Sequence, residues 1–280
     1  MLTSEQFDRA RRLALRLAGI ELVDRHRELL YHRSLRLGIL EGNGLDELLR
    51  AAEDGDPNAG QRLVSLFTTN LTGFFRHPKQ FEVAADHVLK VAQRRQARCF
   101  SAAAATGEEP YSLAMAVTEV FGDEEPRVAI LATDIDVDAL AVARLGEYSD
   151  RALAGLSADR LERFFTETTV NHWRIKPTVK RLVEFRALNL NDVAWRNLEG
   201  PFDVIFCRNV MMYFEASYRY SVAERLASLL APDGLLILDP TEHLGKAGHF
   251  FARTAADSVY SRRLALFSRQ LGPGIYGDEN

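Results

Sequence analysis

The stretch CFSAAAATGEEPYSLAM, residues 99–115, joins an apolar run to an amphipathic one through small side chains, a glycine, two glutamates and a proline. ARCFSA reads as a buried strand and PYSLAMAVTEVFG as a helix, with Pro110 suited to its first turn and Gly122 to its end. A strand therefore hands over to a helix across a loop of alanines. Small side chains admit a ligand close to the backbone, and Gly107 permits dihedrals closed to other residues. The N–H groups at the helix start favour an anion, but Glu108 and Glu109 would repel a phosphate there. A carboxylate at this place suits a cationic group such as an ammonium. The same residues also read as a tight turn followed by helix-start charges and no more. With one glycine the stretch fails the dinucleotide fingerprint, and the chain has no P-loop.

Outward from this junction the pattern repeats. RVAILATDI is a strand, DVDALAVARLG a helix ending near Gly146, FDVIFCRNV a strand, ASYRYSVAERLASLL a helix, APDG a turn and LLILD a strand. Strands alternating with helices predict a parallel sheet covered on both faces, with ligands at the carboxyl ends of its strands. Asp134 ends one strand, where an acid accepts hydrogen bonds from ribose hydroxyls. Asp136 is placed to cap the next helix. Arg208, Asn209 and Tyr213 follow another strand, as part of a site or as a polar strand end with a core tyrosine. Together these positions imply a nucleoside ligand carrying a carboxylate and an ammonium. S-adenosylmethionine fits that description better than NAD or ATP.

Residues 1–68 read as a small all-α domain, with no β-rich segment. SEQFDRARRLALRLAGI places Phe7, Ala10, Leu13, Leu17 and Ile20 near one face, with Ser4 as N-cap and Gly19 as stop. VDRHRELLYHRSLRLGI, LDELLRAAE and QRLVSLFTTNL continue the pattern, and DGDPNAG reads as a turn. Arg9, Arg11, Arg12, Arg16, Arg25, Arg27, Arg33 and Arg36 make the first two helices basic. They form either a solvated surface or a docking face for an acidic partner. The chain has 280 residues and a formal net charge of −4, so nucleic acid is not the expected partner. Cys99 and Cys207 lie in apolar runs and predict no disulfide. The seven histidines show no HxH or HExxH spacing, so no metal is expected. No run is long enough to span a membrane and no signal peptide opens the chain, so the expected location is the cytoplasm.

The motifs TTNLTGFFR at 68–76, SAAAATGEEPYSLAM at 101–115, TDID at 133–136, LNL at 188–190, FDVIFCRNVMMYF at 202–214 and LLAPDGLLIL at 229–238 follow one another in order. In them the chain resembles the CheR-type chemotaxis receptor protein-glutamate O-methyltransferases, from about residue 20 to about residue 268. The resemblance implies an α/β fold: a Rossmann-like S-adenosylmethionine-dependent methyltransferase domain, here 69–280, with a small antiparallel β-subdomain inserted at 165–187, after the helical domain. It implies that Asn70, Thr72 and Arg76 lie against cofactor and substrate, and that Ala102 and Glu108 line the methionine end. Asp134 would bind the ribose, and Asn189 and Leu190 would flank the adenine. Arg208, Asn209, Val210 and Tyr213 would close the site near the reacting methyl, with Arg76, Arg208 and Tyr213 as the catalytic set. Without the resemblance NLTGFFRHP is an inter-domain connector. The implied partner is the cytoplasmic helical region of chemoreceptors, with no nucleic acid, membrane insertion or metal.

Two departures stand out against that family pattern. Ala105 replaces the usual Ser or Thr before TGEEP, and Asp239-Pro240-Thr241-Glu242 replaces the usual Gly-His-Ser-Glu. TETTVNHWRIKPTVKRL lacks the longer, glycine-containing loop of members that tether to a receptor's tail peptide, so a tether-independent enzyme is expected. The rival readings are a cofactor-binding regulatory module without catalysis and a methyltransferase of another substrate.

Overall fold

Four helices open the chain in the computed structural model, which describes residues 1–40, 42–193, 195 and 198–263. The end of the expected 69–280 domain, beyond 263, lies outside the described residues. These helices are α1 (Ser4–Ala18), α2 (His26–Arg36), α3 (Gly44–Glu53) and α4 (Pro57–Phe67). Phe7, Leu13, Leu30, Leu49 and Leu63 come from all four and bury into one apolar cluster. The cap of α1 is Thr3 rather than Ser4, because Thr3 and Gln6 satisfy each other's backbone N–H groups, which Ser4 cannot match. Gly19, at φ 67°, ends the helix as expected. DGDPNAG is only partly a turn: Asp56 accepts from the N–H groups of Asn58 and Ala59, so α4 begins inside it at Pro57.

Five of the eight arginines are spent inside this layer, Arg16 among them, whose Nη2 donates to the Ala52 carbonyl at 2.7 Å. Arg9 bridges Asp46 and Glu53, Arg11 pairs with Asp24, Arg27 donates to the Leu2 carbonyl, and Arg33 donates to the carbonyls of Leu66 and Thr68. Arg12, Arg16, Arg25 and Arg36 are exposed.

Helix α5 (Pro78–Ala92) follows, an element the sequence reading passes over. Its Phe81, Ala84, Ala85 and Val88 bury against the sheet, which is built as β1 (Ala97–Ser101), α6 (Glu108–Phe121), β2 (Val128–Asp134) and α7 (Val137–Leu145). Then come β3 (Glu147–Ser149), α8 (Asp150–Leu153), α9 (Ala158–Phe164), β4 (Phe165–Thr169), β5 (His172–Ile175), α10 (Pro177–Lys180) and β6 (Val183–Ala187). The chain continues through β7 (Phe202–Phe206), α11 (Ala216–Leu229), β8 (Leu230–Ile237), β9 (Phe251–Arg253) and β10 (Val259–Arg262).

The large sheet runs β6-β2-β1-β7-β8-β10-β9. Its first five strands are parallel, and β10 and β9 add an antiparallel edge. The segment APDG, expected as a turn before a strand, sits within β8. Phe202 pairs with Leu230 but Val204 with Leu235, so residues 231–234 bulge out of register. The small antiparallel sheet is β3-β5-β4, and its extent corrects the expected 165–187. It begins with β3 at Glu147, and β6 belongs to the large sheet, where Ile130 through Asp134 pair with Val183 through Ala187.

Candidate active site

At the carboxyl ends of β1, β2 and β7, facing α4 and the segment after it, lies a solvent-open cleft of about 870 Å³. Its floor is the loop after β1. Ala102 donates to the Phe206 carbonyl and Ala104 to that of Thr133, which stitches the loop to both neighbouring strands. Ala102, Ala103 and Ala105 present only methyl groups to the cleft. Gly107 has a packing reason as well: at φ 98°, a Cβ there would lie 2.9 Å from both Ala143 Cβ and Tyr148 Oη.

Asp134 closes β2 with its carboxylate buried. Oδ2 accepts from Ala105 N at 2.8 Å and Oδ1 from Asp136 N at 2.9 Å. Burial raises its pKa, against these backbone hydrogen bonds. Each oxygen keeps a lone pair for a ligand on the cleft side.

At the other end of the floor, Glu109 and Arg208 form a buried pair. Arg208 Nη1 lies 3.2 Å from Glu109 Oε2, and Ser101 Oγ donates to Oε1 at 2.8 Å. Burial raises the Glu109 pKa, and the Arg208 charge opposes it. Arg208 Nη2 donates to the Arg76 carbonyl at 2.7 Å, while Nε is buried with no hydrogen-bond partner. A carboxylate beside a guanidinium with an unmade donor is matched to a ligand carrying both an ammonium and a carboxylate.

The loop after β7 is held by Glu242, the one residue of the 239–242 segment that keeps the usual family pattern. Glu242 accepts from the N–H groups of Asn209 (2.8 Å), Val210 (2.9 Å), Met212 (3.4 Å) and Asp239 (3.2 Å). This clamp supports Asn209 at φ 57°. The helical layer closes the far wall. Asp136 caps α7 and accepts from Ser65, Thr68 and Asn70. Asn189 donates to the Leu17 carbonyl at 2.7 Å, Gln61 to that of Ile135, and Glu21 N to that of Tyr213.

Residues 70–259 match the family described as CheR methyltransferase, SAM binding domain. The chain belongs to the CheR methyltransferase family. It is 39% identical over 264 residues to chemotaxis protein methyltransferase 2 of Pseudomonas aeruginosa, covering 92% of this chain and 93% of that one. It is 38% identical over 251 residues to the chemotaxis protein methyltransferase of Salmonella typhimurium, covering 86% and 85%.

For a CheR methyltransferase the cofactor is S-adenosylmethionine, and the cleft fits it: an acid for hydroxyls, a carboxylate–guanidinium pair for an amino-acid end, and a methyl-lined floor between. Asn70, Thr72, Ala102, Asp134, Asn189, Leu190, Arg208, Asn209, Val210 and Tyr213 all line this cleft. Glu108 does not, whereas its neighbour Glu109 does. Successive helical residues point about 100° apart. Ser101 and Arg208 lie on the Glu109 side, whereas Glu108 turns back to Thr106 Oγ1 at 2.6 Å. The Arg76 side chain is also off the cleft wall, half-exposed beside Asp239 at 3.8 Å. Sequence reasoning missed Ser101 and the Glu242 clamp, since neither function shows in local spacing. Among the described residues no group of three or more His, Cys, Asp or Glu could hold a metal ion, and no helix is long and apolar enough to cross a membrane.

Proposed function

We propose that this enzyme methylates glutamate side chains in the cytoplasmic helical region of chemoreceptors, forming methyl esters in sensory adaptation. The observation that carries this reading is the buried Glu109–Arg208 pair facing Asp134 across a methyl-lined floor, in a chain of the CheR family. Asp134 holds the ribose hydroxyls, Asn189 and Leu190 flank the adenine, and Glu109 and Arg208 take the ammonium and carboxylate. When bound, the cofactor supplies an electrophilic methyl on a sulfonium. A glutamate side chain, with a pKa near ~4.3, is already an anion at neutral pH, so the protein needs no base. Its work is alignment and exclusion of water: Arg76 receives the substrate carboxylate, and Thr72, Asn209 and Tyr213 shape the reacting end. The exposed Arg12 offers a charge to an acidic receptor helix, with Arg16 beside it, half engaged by the Ala52 carbonyl.

The test is incubation with a soluble receptor fragment and methyl-labelled cofactor. The expected label is base-labile and released as methanol. Charge reversal at Arg12 and Arg16 should weaken receptor association while leaving cofactor-product affinity unchanged. Base-stable label, or none, would overturn the glutamate reading.

We also infer that the enzyme works without a tail-peptide tether. Only Val170 and Asn171 join β4 to β5, which leaves no extended loop there. Calorimetric titration with a peptide of the receptor's last residues should show no binding. A dissociation constant below about 10 μM, equivalent to roughly −7 kcal/mol, would refute it.

A further inference from the structure

Arg76 is held in an unusual way. The residues on either side of it, Phe75 at φ 50° and His77 at φ 63°, both occupy the left-handed region that non-glycine residues seldom adopt. Phe75 N donates to the buried Ser112 Oγ at 2.9 Å, and the Arg76 carbonyl is fixed by Arg208. The backbone is therefore constrained to present this one side chain. Among the described residues its guanidinium makes no hydrogen bond and has one ionic partner, Asp239.

Asp239 follows β8 and is almost wholly buried, at 1% exposure. Its two oxygens have separate tasks. Oδ1 accepts from Thr241 N at 3.0 Å and Thr241 Oγ1 at 2.7 Å, which shapes the 239–242 turn. Oδ2 is buried without a hydrogen-bond partner, with Arg76 Nη2 at 3.8 Å and His77 Nε2 at 3.4 Å. Burial would raise the carboxyl pKa. The Thr241 hydrogen bonds, the nearby Asn209 amide and the Arg76 charge bring it instead to about 2, so the group is an anion at neutral pH. The nearest other charge on this turn is Glu242, which is occupied by backbone N–H groups. The Thr241 turn needs only Oδ1, which leaves Oδ2 and its charge to face Arg76, His77 and the Asn209 side chain.

We propose that Asp239 is a positioning residue for methyl transfer, whose Oδ2 docks the Arg76 guanidinium beside the cleft so that its unused N–H fork receives the substrate carboxylate. This rests on the glutamate reading above. A guanidinium can face one carboxylate while donating a planar fork to another, and Asp239 lies too far for a hydrogen bond that would consume the fork.

Asp239→Asn tests this cleanly, since its carbonyl can keep the Thr241 turn while the charge on Oδ2 is lost. The measurements are kcat/KM for a receptor fragment and Kd for S-adenosylhomocysteine, in wild type, Asp239→Asn, Arg76→Ala and the double variant. Asp239→Asn should lower kcat/KM about fivefold or more, leave Kd within about twofold, and have no further effect in the Arg76→Ala background. An effect under about twofold, or one that persists undiminished without Arg76, overturns the proposal. A purely structural turn would give that additive result. A second readout needs no substrate. Modification of Arg76 by phenylglyoxal, followed by mass spectrometry, should run about threefold faster in Asp239→Asn, because the carboxylate stabilises the cation. If wild type methylates no receptor, the glutamate reading fails, and the modification rate still decides whether Asp239 holds Arg76. An unchanged rate overturns that part.

Discussion

Asp134→Ala should abolish usable cofactor affinity, with Kd for S-adenosylhomocysteine rising about a hundredfold. Two hydrogen bonds from ligand hydroxyls to a buried carboxylate contribute about 3 kcal/mol together, and each 1.4 kcal/mol is about a factor of ten. The change also strips the partners of Ala105 N and Asp136 N, which loosens the methyl-lined floor itself. Asp134→Asn separates the two contributions. It keeps one acceptor and the side-chain volume, so it should bind about tenfold more weakly than wild type with a smaller loss of Tm. Titration calorimetry reads both. The pH dependence has a fixed sign. Because burial raises the Asp134 pKa, the carboxylate protonates at a higher pH than a free aspartate, and affinity falls as pH drops through that raised value. In Asp134→Asn this limb of the profile should disappear. Equal affinity at neutral pH in wild type and Asp134→Ala would mean the ligand lies elsewhere.

The residues legible in the sequence share one property: each follows the end of an apolar strand. Asp134 after β2 and Arg208 and Asn209 after β7 could be picked out because a parallel sheet directs its strand ends to a common edge. The small-residue loop after β1 was legible for the same reason. What could not be read locally was the choice between neighbours. Glu108 and Glu109 are chemically identical and both open α6. Ser101, at the end of β1, and Arg208, after β7, make Glu109 the one that faces the cleft. The extent of the small sheet was hidden similarly, because β3 and β5 pair only after 22 intervening residues have folded back. Helix α5 is a different case. Its buried positions at 81, 84, 85 and 88 carry a plain helical period, which the connector-like FFRHP before it masked. The far wall of the cleft was out of reach altogether. Asn189 to Leu17 is a contact across 172 positions, between two layers that local patterns read separately.

The second large effect concerns the buried pair. Arg208→Ala should leave the protein folded but destabilised by about 3–5 kcal/mol, with no detectable methyl transfer. Removing one partner of a buried ion pair strands the other without compensation. Here that is Glu109, largely buried and already shifted towards protonation by that burial. The Arg76 carbonyl loses its donor at the same time, and the Phe81 ring loses the cation lying 5.6 Å from its centroid. Stability should therefore be recovered in part at acid pH. With Arg208 gone, Glu109 titrates further above an ordinary glutamate, so the folded state binds its proton more tightly than the unfolded chain does. Folding gains as pH falls through that raised value. The double variant Glu109→Gln with Arg208→Met removes both charges and keeps the volume, and should restore most of the lost Tm at neutral pH. Methyl transfer should stay absent, because the ligand's ammonium and carboxylate would meet neither an anion nor a cation. Thermal unfolding and receptor methylation on the same three proteins decide the matter. If the double variant regains activity along with stability, the pair serves only to hold the start of α6 to the loop after β7, and the amino-acid end of the cofactor is bound by other residues.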